Sequence, residues 1–234
     1  MRVSDYSNIP IQECEEPLVE LTSFPFALEP AQFRKGYTKN PQLWLRVTCA
    51  RRLEEIQRKK LDGLGLRFKI YDAWRPRDVQ NKIYAACWND LAKKNPEATN
   101  EALSRLAQDL VIDANDPDRI PPHCTGGAVD VSLIEDATGQ ELTLGQPYCG
   151  WGEGKAADGS GHDTEGLRTL LIAMQQAGFV QDPDQWWHFD YGNQKWAKIT
   201  GSDVAIYGEV TSSMGFMKKG AALGHGVNLP YEVR

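Results

Sequence analysis

The sequence predicts an α+β fold, a single domain over 1–234 with a central, mostly antiparallel sheet flanked by helices. Three observations predict it. Leu66, Phe68 and Ile70 alternate with Arg67, Lys69 and Tyr71, the period of a half-buried strand. Residues 128–134, Ala-Val-Asp-Val-Ser-Leu-Ile, read as a central strand, and Thr138-Gly139 makes a hairpin turn between it and 141–144. Before, between and after these strands the apolar residues recur at helical spacing in long segments.

Residues 1–42 mix prolines with polar residues and read as an irregular arm, with short strands at 18–21 and 24–26. Over 41–60 a helix is expected: Leu43, Val47, Ala50, Leu53 and Ile56 share a stripe, Pro41 suits the first turn, and Asp62-Gly63 closes the run. The strand at 66–71 runs into Asp72-Ala73-Trp74-Arg75-Pro76, where Pro76 biases Arg75 toward an extended backbone. A helix over 78–94 turns Val79, Ile83, Ala86 and Leu91 inward, and 95–122 holds a short helix followed by a loop rich in Pro and Asp. The Gly-rich segment 145–163 reads as a long loop of the kind that covers a site. Thr164 caps a helix carrying Leu167, Leu170, Leu171, Met174 and Ala177, which Gly178 ends; residues 186–191 form the last core strand. The C-terminal tail, 211–234, is Gly-rich with Met214, Phe216 and Met217, and reads as a cover for the site or a contact in an oligomer.

With 234 residues and 41% hydrophobic content the chain can bury one proper core. A net charge of −6 argues against nucleic acid as a partner. No apolar stretch approaches the roughly 18 residues of a membrane span, and the first ten residues lack the apolar centre of a signal peptide. Five cysteines without a C-x-x-C pair do not make a disulfide framework, so a cytoplasmic protein with free thiols is expected.

The chemistry concentrates in His123, Asp130 and His188. Taken singly, each has an ordinary role: a loop histidine, a hydrogen-bonded acid, a packed core residue. Together, a His-Asp pair spanning a Thr-Gly-Gly turn and a second histidine after Trp-Trp form a three-ligand set with an open position, the arrangement of a catalytic metal. A loop would deliver His123, the following strand Asp130, and a neighbouring strand His188. The pattern by itself leaves the ion open. Two His and one carboxylate on one face also describe the facial triad of non-haem Fe(II) oxygenases, so Fe2+ is the alternative. His162 and His225 read as surface or loop residues.

Three motifs in order carry a resemblance: Tyr71-Asp72-Ala73-Trp74-Arg75-Pro76, the segment His123 to Leu133, and Trp186-Trp187-His188. They resemble the Trp-Asp-Gly-Tyr-Arg-Pro, His-Ser-x-Gly-x-Ala-x-Asp-Leu-Thr-Leu and Glu-Trp-Trp-His motifs of the zinc D-alanyl-D-alanine dipeptidases. That VanX-like family is related to D,D-carboxypeptidases and the Hedgehog fold. The resemblance spans roughly residues 28–208. It implies a D,D-peptidase/Hedgehog-like fold and cell-wall dipeptide chemistry. It also implies His123, Asp130 and His188 as zinc ligands, and Arg75 as the residue that stabilises the oxyanion. Without the resemblance, Arg75 reads as a structural salt-bridge partner of Asp72 or Asp78. Tyr148, Cys149, Glu153 and Trp187 become candidate contacts to a dipeptide or other small-molecule substrate.

Two departures stand against it. Gln185 occupies the position of the family's Glu, the general base; an amide can orient a water but cannot shuttle its proton, a loss of roughly 10²–10⁴-fold. Gln is isosteric with Glu, so the position also reads as an inactivating replacement. Cys149 aligns with the Asp that receives the substrate amine, and Glu153 or Asp158 is the candidate substitute as amine anchor or base. Cys124, beside His123, reads as a packed small residue. Three readings follow: a metallopeptidase acting on small D,D-dipeptides or related amides, a metal-binding pseudoenzyme, or Fe(II) oxidative chemistry on an amino acid or peptide.

Overall fold

The computed structural model describes residues 6–144, 148, 164–210 and 215–217. Its strands are β1 (Leu18–Glu20), β2 (Ala27–Leu28), β3 (Trp44–Arg46), β4 (Leu66–Asp72), β5 (Ala128–Glu135), β6 (Val180–Asp182), β7 (Gln185–Asp190) and β8 (Phe216–Met217). Its α-helices are α1 (Ala31–Arg34), α2 (Val47–Ile56), α3 (Arg77–Lys94), α4 (Asn100–Leu110), α5 (Glu165–Gln176) and α6 (Gln194–Thr200). A five-stranded sheet in the order β2-β4-β5-β7-β6 is antiparallel except for the β2–β4 pair, and a small sheet β3-β1-β8 lies apart from it. The α+β class and the mostly antiparallel sheet are as the sequence predicts.

Register decides which face each residue takes. Along β5, Val129, Val131 and Leu133 join a core with Phe68 and Ile70 of β4, Trp187 and Phe189 of β7, Leu53 of α2, and Leu167, Leu170 and Met174 of α5. Asp130, between two of these positions, points to the other face. On β4 the pairing steps from Ile70↔Val131 to Asp72↔Asp130, so two positions of β4 span one of β5. This bulge at Tyr71 moves Asp72 off the face of Phe68 and Ile70 and onto that of Asp130. Since Asp130 also pairs with His188, the acids and the histidine form one row across three adjacent strands.

Several expectations are corrected. The helix expected over 41–60 begins only at Val47, because Trp44–Arg46 is strand β3, paired antiparallel with β1. Its partner is distant in sequence, and local periodicity carries no sign of it. The helical path continues through a π-turn at Gln57–Leu61 and closes at Gly65, whose φ of +66° suits a residue without a side chain, rather than at Gly63. The arm is less irregular than expected: it supplies β1, β2 and α1, and the strand expected at 24–26 lies instead at Ala27–Leu28, parallel to β4. After the turn at Gly139 the hairpin's second strand is reduced to one bridge, Ile134↔Glu141. In α3, Cys87 is buried and Ala86 only half-buried; with Val79, Ile83, Ala107 and Val111, Cys87 forms a second, smaller core between α3 and α4. Strand β6 and helix α6 are too short to show a period in the sequence. Of the expected site loop 145–163, only Tyr148 lies among the described residues, as do only residues 215–217 of the tail.

Thr164 caps α5 as read from the sequence, its hydroxyl accepting the Leu167 N–H at 3.1 Å. Thr164→Ala is expected to lower unfolding stability by about 1 kcal/mol, read as a shift in the urea midpoint without a change in slope. Among the described residues no helix is long and apolar enough to cross a membrane.

Candidate metal centre

The turn that carries His123 is held from two sides. It is a short 3-10 helix, Pro122–Thr125, ended by Gly126 at φ +71°. At Gly127 a Cβ would lie 2.3 Å from the Tyr191 carbonyl oxygen, so β7 and its extension can close on the turn only over a glycine. The fully buried Arg46 donates from Nε to the Thr125 carbonyl at 2.8 Å and from Nη1 to the Glu16 carbonyl at 2.7 Å, tying this turn to the N-terminal arm.

His123, Asp130 and His188 converge. His123 Nε2 lies 3.1 Å from His188 Nδ1 and 3.2 Å from Asp130 Oδ1, and His188 Nδ1 lies 3.0 Å from the same oxygen. Tetrahedral ligand atoms on bonds of about 2.0–2.1 Å stand roughly 3.3 Å apart, so this triangle is close to the size a zinc ion needs. The remaining atoms are held in the sense ligation requires. His123 Nδ1 lies 2.6 Å from the Ala73 carbonyl, an acceptor that engages this nitrogen and turns Nε2 toward the centre. His188 Nε2 lies 3.2 Å from Asp190 Oδ2, an ion-pair distance without hydrogen-bond alignment, which favours Nδ1 as its ligating atom. Asp130 Oδ2 accepts from the Tyr148 hydroxyl at 3.1 Å, leaving Oδ1 for the ion. The donor set, its spacing and its outer partners fit a divalent metal.

The electrostatics follow from burial and pairing. Burial opposes ionisation of Asp130, but His123 and His188 override it and hold its carboxyl well below the usual range. For His188 burial acts downward, and Asp190 with Asp130 outweighs it, raising the imidazole to about 9. Asp190 is likewise resisted by burial and drawn down to about 2 by His188 and Lys195. Asn193 donates to Asp190 Oδ1 at 2.7 Å, and Lys195, which pairs with Asp182, lies 3.8 Å from Oδ2.

The triad opens into a cavity of about 460 Å³ whose walls include Tyr6, Arg75, Gln80, Arg119, Gln185 and Lys195. Arg75 pairs with Asp72 and donates to Gln80 Oε1 at 2.8 Å, which aims the guanidinium beside the triad. The salt bridge with Asp72 is therefore present, and it orients the group that faces the cavity. Gln185 opens β7 three positions before His188, and its amide nitrogen reaches the Leu110 carbonyl at a long 3.5 Å. Trp187 does not meet the expectation of a substrate contact: it is fully buried on the core face, as strand alternation requires of the residue before His188. Tyr148 touches the ligand carboxylate, with its ring stacked on Tyr71 at 4.1 Å. Cys124 is buried, and burial pushes its thiol up to about 12, so it is a packed residue rather than a nucleophile. Cys149, Glu153, Asp158, His162 and His225 lie outside the described residues.

Sequence reasoning missed Asp190, Asp72, Gln80, Tyr6, Arg119 and Lys195 as parts of the site. Asp190 had a signal: two positions after His188 on a strand, it must share that face. The others come together only through chain folding.

An α+β domain whose His/Asp/His centre, drawn from one turn and two adjacent strands, opens to a cavity defines a protein with a metal site of the open, catalytic type. The D-ala-D-ala dipeptidase model of the M15 peptidases matches residues 47–205, and the chain belongs to that family. It is 28% identical over 225 residues to a D-alanyl-D-alanine dipeptidase of Synechocystis sp., a match covering 82% of this chain and 88% of that protein. A D-alanyl-D-alanine dipeptidase of Escherichia coli K12 is 27% identical over 129 residues, covering 54% of this chain and 55% of its own length. Among solved structures, a mutant of the vancomycin-resistance D,D-pentapeptidase VanY in complex with Zn(II) gives a TM-score of 0.44 at 15% identity, covering 86% of this chain and 96% of that one.

Proposed function

We propose that the protein is a zinc-dependent hydrolase of small D,D-dipeptides or related amides, held to slow turnover by Gln185. The observation that carries this reading is the convergence of His123, Asp130 and His188 within 3.0–3.2 Å of one another at the wall of a cavity that Arg75 also lines. His123, Asp130 and His188 would hold a zinc ion, which would supply Lewis-acid polarisation of a carbonyl and a water of pKa lowered toward about 7. Arg75, permanently charged and braced by Asp72 and Gln80, stabilises negative charge developing on the carbonyl oxygen. Gln185 orients the attacking water through its amide but cannot take the proton, which leaves proton transfer to the leaving amine uncatalysed.

The zinc-loaded protein incubated with D-alanyl-D-alanine is expected to release D-alanine slowly. A chelator should abolish the release and re-added zinc restore it. No release at any zinc occupancy would overturn the reading. One observation, the amide at position 185, favours a binding-only role instead; dipeptide binding without release is its signature. Metal analysis of protein isolated without added metal separates zinc from the Fe(II) alternative.

A further inference from the structure

We propose that Arg119 and Tyr6 form the subsite that receives the carboxylate of the substrate, a specificity determinant resting on the dipeptide reading above. The other cations of the cavity wall are already committed or peripheral. Arg75 is paired with Asp72, and Lys195 is paired with Asp182 and lies 3.8 Å from Asp190. Arg105 is exposed. Arg119 has no carboxylate within ion-pair distance among the described residues; its guanidinium lies over the Tyr6 ring, 5.8 Å from the centroid. A guanidinium with free donors in a cavity is matched by an anion with two coplanar oxygens.

Tyr6 is the independent observation. It is 4% exposed, lines the same cavity, and its hydroxyl has no hydrogen-bond partner among the described residues. Burial pushes this phenol up to about 12, so at neutral pH it is a donor. A buried donor with no partner, beside a cation with no counter-charge, both among the described residues, is the complement of a carboxylate. Both residues are fixed in advance. Gln194 of α6 donates to the carbonyls of Ser7 and Ile9 at 3.0 and 2.7 Å, pinning the segment that carries Tyr6. Arg77 donates to the Arg119 carbonyl at 3.3 Å, four residues before the His123 ligand. Acids of the wall suit the other end of a zwitterion: Asp184, beside Gln185, is exposed in the β6–β7 turn.

The test is calorimetric binding of D-alanyl-D-alanine and of its C-terminal amide to the zinc-loaded full chain. The amide is expected to bind ~10-fold or more weakly. Arg119→Gln should bring the acid down to the affinity of the amide, with zinc content and amide affinity unchanged; Arg119→Lys should restore part of the preference, and Tyr6→Phe should weaken the acid alone. Equal binding of the two probes, no binding of either, or a preference that survives Arg119→Gln overturns the subsite. The hydrolytic reading is judged separately, by D-alanine release: release without a carboxylate preference sinks the subsite alone, and Arg119-dependent binding without release sinks hydrolysis alone.

Discussion

Replacing Gln185 by glutamate is expected to raise kcat for D-alanyl-D-alanine by roughly 10²–10⁴-fold, the worth of a positioned general base. The substitution keeps the side chain's length and exchanges an amide nitrogen for an oxygen. Little holds the amide in place, since its nitrogen meets the Leu110 carbonyl only at 3.5 Å, and a carboxylate oxygen is repelled by that carbonyl and turns toward the triad. Position 185 lines the same cavity as His123, Asp130, His188 and Arg75, so a carboxylate there reaches the water those groups act on. Its gain should appear in kcat rather than in substrate affinity, because proton transfer belongs to the transition state. The measurement is steady-state release of D-alanine by zinc-loaded Gln185→Glu beside the unaltered protein. His188→Ala placed on top of it should remove the whole gain. An unchanged kcat with intact zinc binding would mean that position 185 does not serve proton transfer and that Gln185 is not what holds turnover slow.

The second large effect concerns Asp190, which touches no substrate and acts through His188. Asp190→Asn is expected to weaken zinc binding by about 10–100-fold, the usual cost of losing an outer partner of a metal-bound histidine. In the metal-free protein Asp190 and Asp130 together raise His188 to about 9. The sign follows from that shift. The ion pair stabilises the metal-free fold fully below the unfolded histidine pKa of about 6.5, and loses this contribution as pH rises through about 9. Zinc must displace the same proton, so affinity should climb by about tenfold per pH unit below that point and level off above it. In Asp190→Asn the levelling should move to lower pH, because the strongest of the charges raising His188 is gone. Competition against a chromophoric chelator across pH 6 to about 9.5 reads both effects. An Asp190→Asn affinity curve that overlays the unaltered one would remove Asp190 from the metal centre.

The three candidate ligands are legible because each belongs to a short local pattern: a histidine before a glycine turn, an acid inside an apolar strand, a histidine after two tryptophans. Arg75 is legible through its motif, and strands β4 and β5 with helices α3 and α5 through apolar periods contained within one element. Trp187 departs from its expected role for want of a face assignment: two adjacent strand residues cannot both look into the cavity, and it is His188 that does. Strand β3 passes for part of a helix because its stabilising partner, β1, lies some twenty residues away and leaves no trace in local spacing.

From sequence alone, then, come the α+β class, the candidate metal-holding side chains and their order, and the amide at position 185, since these depend on which side chains occur at which local spacing. Tertiary structure alone decided the rest. The bulge at Tyr71 turned Asp72 into line with Asp130 and His188; the β5–β7 register set His188 opposite Asp130; chain folding brought Tyr6, Arg119 and Lys195 to one cavity from segments far apart in sequence. The reason is physical. Which face a strand residue takes depends on pairing partners fixed by the whole packed sheet, and the charge state of a buried group depends on neighbours that only the closed fold supplies.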